Sequence, residues 1–121
     1  MSSKITKFED IIAWQKAQKL SLNIYKLFRN NKDYSFRDQI CRASVSVSNN
    51  IAEGFERRTK KELLAFLFIA KGSCGEVRSM LYIALSLKYI SKHNFDIMTS
   101  QATETSKLIG AFIKYLNKNN F

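Results

Sequence analysis

Apolar residues recur along the chain in steps of three and four, the spacing that places them on one face of a helix. Four stretches carry this rhythm, and short polar segments divide them. The first runs from about residue 10 to 29 and places Ala13, Ala17, Leu20, Ile24 and Leu27 on one face. The second runs from about 36 to 55 with Phe36, Ile40, Ala43, Val47, Ile51 and Phe55. In front of it, Ser35 opens the variant capping box Ser-Phe-Arg-Asp, with Asp38 in the answering position, and Gly54 marks its expected end. Thr59 and Glu62 form a full capping box, because the Thr hydroxyl accepts from the third helical amide while the Glu reaches back to the cap. The third helix is therefore expected from 60 to about 89, with a stripe of Leu63, Leu67, Ala70, Cys74, Val77, Leu81 and Ala84. The fourth, about 94 to 117, carries Phe95, Met98, Ala102, Thr105, Ile109, Phe112 and Leu116 in a heptad-like rhythm. Short connections between antiparallel helices predict an all-α, up-down four-helix bundle spanning residues 1–121 as a single domain.

Helix three has more apolar surface than one face needs. Phe66, Ile69, Ser73, Glu76, Met80, Ile83, Leu87 and Ile90 form a second stripe, turned by about 100° from the first. Either this wide arc bridges two neighbours in the same bundle or it meets another copy of the chain. Helix two offers a polar counterpart in Gln39, Arg42, Ser46, Asn49 and Glu53, read as a solvated face or as a seam between subunits. Arg42 and Glu53 lie roughly 16 Å apart along one helix, so they cannot pair within it. The expected oligomer interface is accordingly Arg42, Asn49, Glu53, Glu76, Met80 and Ile83, with the two glutamates structural in role.

Composition narrows the picture. The chain has 121 residues, no proline and four glycines, too little turn chemistry for many short strands. Its two cysteines, Cys41 and Cys74, lack CxxC spacing and suit a reducing cytoplasm as free thiols. The first eight residues are polar and lead into Glu9 and Asp10 rather than an apolar signal core. The longest apolar run, Leu63 to Ala70, falls well short of the roughly 20 residues that cross a bilayer, so no membrane partner is expected. Enzymatic constellations are missing: the one histidine, His93, has Ile90 three residues before it where a di-iron bundle needs Glu, and no phosphate-binding loop is present. No cofactor and no metal site is expected. Gly72-Ser-Cys-Gly75 falls inside a helical pattern, where small residues let helices approach closely.

Charge supplies the candidate chemistry. Twenty Lys and Arg against ten Asp and Glu leave +10, which favours polyanionic partners. Residues 57–92 hold eight basic and two acidic side chains, a net +6. Lys60 and Lys61 sit in the first turn of helix three, where the macrodipole is already positive, and Arg57 and Arg58 lie just upstream. Basic side chains and free helix amides there can converge on phosphate. Further along, Phe68, Lys71, Gly75, Arg78, Tyr82 and Tyr89 alternate aromatics with cations, a line that either stacks bases or covers the core edge. The expected nucleic-acid-binding residues are Arg57, Arg58, Lys60, Lys61, Lys71 and Arg78.

Several strings carry a resemblance. FEDIIAWQKA (8–17), QICRA (39–43), SNNIAEGF (48–55) and FLFIAKGSCGEV (66–77) are similar to the bacterial four-helix bundle family of 23S rRNA intervening-sequence proteins. The most specific are Asn-Ile-Ala-Glu-Gly at 50–54 and Gly-Ser-x-x-Glu at 72–76. The resemblance implies an up-down bundle that assembles as a homopentamer, free-standing or encoded within insertions in large-subunit ribosomal RNA genes. A relative is the accessory protein of diversity-generating retroelements, which joins a reverse transcriptase and contacts nucleic acid. Prolines usual in the family before helix two and near residues 46–50 are absent here. The expected function is a non-enzymatic, basic, oligomeric cytoplasmic bundle that binds RNA or DNA through phosphate contacts with little sequence preference. The other class open to it is an adaptor that docks an acidic protein partner, such as a nucleic-acid enzyme.

Overall fold

A computed structural model describes residues 4–119. A single 3-10 turn, Phe8–Asp10, precedes four helices: α1 (Ile12–Phe28), α2 (Tyr34–Glu56), α3 (Lys60–Ser86) and α4 (Lys92–Lys118). Helix α1 packs on α2 and α4, and α3 packs on the same two, while the backbones of the diagonal pairs stay apart among the described residues. The result is an antiparallel square with α1–α2 on one side and α3–α4 on the opposite one. Cross-contacts show the antiparallel register. Along α3 and α4, Lys60 meets Asn119, Lys71 meets Ser106, Cys74 meets Ala102 and Tyr82 meets Phe95.

The apolar stripes become the core. Ala17, Ile24, Ile40, Val47, Ile51, Leu63, Leu67, Cys74, Val77, Leu81, Ala102, Ile109 and Leu116 are all fully buried. In α1, Phe28 takes the last inward position and Leu27 is half-buried. Polar groups inside this core are paired, as burial requires. The Ser21 and Ser44 hydroxyls lie 3.1 Å apart, Ser44 donates to the Cys41 carbonyl, and Thr105 donates to the Gln101 carbonyl.

Beyond shifts of two residues at the starts of α1 and α4, the helix ends differ from the sequence expectation in three places. Helix α2 is capped by Asp33, not Ser35: its carboxylate accepts from the Phe36 amide at 3.2 Å. Gly54 does not stop α2, which continues to Glu56 and ends where Arg58 turns left-handed at φ 68°. Helix α3 ends at Ser86, three residues early. Lys88 is left-handed at φ 62°, the Lys88 amide donates to the Leu85 carbonyl, and the Tyr89 amide donates to the Ala84 carbonyl. That pair of bonds is a Schellman closure with lysine in the place usually held by glycine. At the start of α3 the Thr59 hydroxyl accepts from the Glu62 amide as expected, but the Glu62 carboxylate takes the Thr59 hydroxyl and not the cap's backbone amide, so the second half of the capping box is replaced.

Tyr89 closes the end of the bundle. Its hydroxyl donates to Asp33 at 2.6 Å, and its ring meets the edge of Phe36, which meets Phe28 in turn. The Tyr89 bond, with the Phe36 amide second, holds the Asp33 carboxyl below its ordinary 3.8. The same bond pushes the Tyr89 hydroxyl above its ordinary 10.0. A lowered folded-state pKa means that Asp33 contributes its full stabilisation above 3.8 and loses it as pH falls through the folded value. The raised tyrosine sets the other limit: full stabilisation below 10.0, lost as pH rises through its folded value. Tyr89→Phe is therefore expected to melt below wild type at neutral pH and to converge with it in strong acid. Thermal melts across an acid series check this, and a gap that stays constant to the lowest pH would refute it.

Candidate nucleic-acid interface

The polar line of α2 and the second stripe of α3 face each other within one chain. The Gln39 amide donates to Glu76 at 3.3 Å, and the Ser46 and Ser73 hydroxyls meet at 2.9 Å. Asn50 donates to both the carbonyl and the hydroxyl of Ser46. At the lower end Arg57 bridges Glu53 at 3.1 Å and Glu62 at 3.3 Å while its guanidinium lies over the Phe66 ring. Glu53 and Glu76 thus find partners inside the chain. Of the other residues assigned to a subunit seam, Met80 is only 6% exposed and belongs to the core, whereas Arg42, Asn49 and Ile83 are exposed.

Arg57 therefore already has two acidic partners within the chain. Its bond to Glu53, ahead of the attraction of both carboxylates, raises its pKa further above the ordinary value. Lys60 also has an intramolecular partner. Its ammonium donates to the Asn119 carbonyl at 3.4 Å, at the end of α4. The negative end of the α4 dipole therefore supplies the anion that a basic first turn of α3 calls for. Arg58 and Lys61 remain exposed.

Lower on α3, Lys60, Lys71 and Arg78 are spaced by eleven and seven residues and fall on one line toward α4. Lys71 donates to the Ser106 hydroxyl at 3.0 Å, and Arg78 and Tyr82 line a groove of about 660 Å³ together with Asp96, Thr103, Glu104 and Lys107 of α4. On α4, Lys107, Lys114 and Lys118 recur in steps of seven and four, again one face, and all three are exposed. The register above brings the two lines together along the α3–α4 side. The sequence reading missed this α4 line, because its stripe of lysines is visible in the chain but its place beside Lys71 and Arg78 depends on helix register.

The aromatic members of the α3 line divide. Phe68 is 59% and Tyr82 60% exposed, and Tyr82 touches Phe95 edge-on, whereas Tyr89 is tied to Asp33 at the bundle end. Neither glycine of the 72–75 string brings a helix close, since a Cβ at Gly72 or Gly75 would meet nothing within 4 Å. The close approach is at Gly54, where an added Cβ would lie 2.6 Å from the Phe66 Cβ.

The thiols are unsuited to nucleophilic work. Burial pushes Cys74 up to about 11, and its thiol donates to the Ala102 carbonyl. Burial likewise raises Cys41, outweighing the nearby Arg37. Among the described residues no group of three or more His, Cys, Asp or Glu side chains is placed to hold a metal ion, and no helix is long and apolar enough to cross a membrane. His93 is exposed in the first turn of α4.

Comparison with known proteins bears on the fold and the family. A protein of unknown function from the S23 ribosomal protein family of Bacteroides thetaiotaomicron VPI-5482, solved by crystallography at 1.70 Å, is 24% identical and superposes with a TM-score of 0.80 over 85% of this chain and 96% of its own. That likeness shows the shared bundle fold. No curated protein matches the sequence. The profile of the 23S rRNA-intervening sequence proteins matches residues 9–111, most of the bundle from the 3-10 turn into α4, and the chain belongs to that family.

Proposed function

We propose that the protein is a non-enzymatic, oligomeric cytoplasmic bundle that binds RNA or DNA by phosphate contacts along its α3–α4 side, with little preference for sequence. The observation that carries this reading is the pair of cation lines along the α3–α4 side, Lys60, Lys71 and Arg78 on α3 and Lys107, Lys114 and Lys118 on α4, of which Arg78 and Lys107 line one groove together with Asp96 and Glu104. Arg58 and Lys61 extend it at the start of α3. Of the twenty basic residues only Arg37, Arg57 and Lys92 are in ion pairs among the described residues, so most of the +10 faces solvent. The exposed rings of Phe68 and Tyr82 beside these cations add faces on which unpaired bases can stack. Self-association, in five copies as the family resemblance implies, would repeat the cation lines and convert weak contacts into avidity.

Replacing Lys71, Arg78, Lys107 and Lys114 together with Gln is expected to weaken binding to both RNA and DNA and to flatten its salt dependence. Every phosphate that the variant no longer neutralises lowers the log-log slope by roughly 0.9 on a DNA duplex and roughly 0.7 on a single strand. Arg57→Gln is expected to leave the slope unchanged, because that guanidinium already serves Glu53 and Glu62. Fluorescence titrations of labelled duplex and single strand at several salt concentrations measure both. Equal slopes for wild type and the fourfold variant would remove the α3–α4 side from the interface.

A further inference from the structure

On the opposite side of the bundle, three arginines converge on a separate cleft between α1 and α2. It has a volume of about 530 Å³ and is lined by Tyr25 and Arg29 from one helix and by Arg37, Asp38, Cys41 and Arg42 from the other. Arg37 is already committed: it donates to Asp38 at 3.0 Å and lies over the Tyr34 ring. Asp38 therefore neutralises Arg37, and Arg29 and Arg42 face the cleft without a side-chain hydrogen bond or ion pair among the described residues. Two uncompensated guanidiniums lining one cleft repel each other until an anion comes between them. The α1 dipole offsets part of the charge on Arg29, which caps the helix end. Arg42, in the middle of α2, has no such help.

The planar fork of arginine matches phosphate oxygens in pairs. The cleft is larger than a bare anion requires, and Tyr25, 47% exposed, offers a ring face at its edge. We propose that this cleft binds a nucleoside monophosphate, with the phosphate between Arg29 and Arg42 and the base against Tyr25. The nucleotide is either free or the phosphorylated end of a single strand, since both present the same group. The site does not depend on the α3–α4 reading, from which it is separated by the width of the bundle.

Calorimetric titration of the full chain with adenosine monophosphate, adenosine and inorganic phosphate tests the proposal. The monophosphate is expected to bind more tightly than either fragment. Arg29→Gln and Arg42→Gln should each weaken it about tenfold, the worth of one charge-assisted hydrogen bond, and Tyr25→Ala should weaken it while sparing inorganic phosphate. Lys71→Gln with Arg78→Gln should leave it unchanged, which separates this cleft from the opposite face. Displacement of the monophosphate by a terminally phosphorylated oligonucleotide assigns the cleft to strand ends, and failure to displace assigns it to the free nucleotide; both support a nucleotide site. No saturable monophosphate binding, phosphate binding as tightly as the nucleotide, or unaltered affinity in the two Gln variants would overturn it.

Discussion

Alanine at Gly54 is expected to destabilise the bundle, while alanine at Gly72 or Gly75 stabilises it. All three glycines lie within helices and none has a positive φ, so each should gain about 0.5–1 kcal/mol from the better helix former. At Gly72 and Gly75 nothing opposes that gain, since an added methyl meets open space. At Gly54 the methyl would lie 2.6 Å from the Phe66 Cβ and 3.2 Å from a Leu63 methyl. A Cβ is fixed to its backbone and cannot swing away, so α2 and α3 must separate, disturbing the packing of the fully buried Leu63 and Ile51. Overpacking of this kind typically costs about 1–3 kcal/mol and outweighs the propensity gain. Urea unfolding followed by circular dichroism should therefore move the midpoint down for Gly54→Ala and up for the other two. Equal midpoints for all three would mean that the α2–α3 approach at Gly54 is not tight.

The contrast among these glycines shows what the sequence could and could not convey. The core stripes of all four helices were legible, because periodicity reports directly on which face a helix buries. Position within a helix was not enough to say which glycine matters, since Gly54 resembles a helix stop and the 72–75 string resembles a packing motif. Only the partner helix distinguishes them. The cap of α2 failed for a similar reason. Asp33 and Ser35 are both good caps two residues apart, and the choice is fixed by Tyr89, 56 residues away, which donates to Asp33. In the candidate interface, Lys71 and Arg78 could be read from their shared face, whereas the capture of Arg57 by Glu53 and Glu62, the use of Lys60 at the end of α4 and the addition of Lys107 and Lys114 follow from how helices lie side by side. The α1–α2 cleft was invisible for the same reason: Arg29, Arg37 and Arg42 share no single helix face.

Ile83→Glu is expected to break self-association while leaving the chain folded. Ile83 is 48% exposed and shares the outward line of α3 with Ile69 and Leu87, each 52% exposed, at spacings of fourteen and four residues. Apolar side chains aligned on one outward face are surface that a second copy of the chain can cover. If another copy covers them, moving each from half-exposed to buried stabilises the assembly by about 1 kcal/mol per chain. Glutamate at the centre of that line removes one such contribution and leaves a charge to be buried without a partner, which costs several kcal/mol more. In the separated chain the same glutamate sits in water on an exposed helix face, where its effect on folding is small. Met80→Glu is the necessary contrast: Met80 is 6% exposed, so a charge there attacks the core of each chain and should lower the melting temperature whatever the assembly state. Light scattering at micromolar concentration, with circular dichroism on the same samples, separates the two cases. Wild type should give a multiple of 14.0 kDa, fivefold for a pentamer, and Ile83→Glu should give 14.0 kDa with unchanged helicity. A wild-type mass of 14.0 kDa would end the proposal of self-association, and an Ile83→Glu variant that keeps the wild-type mass would move the seam away from this line of α3.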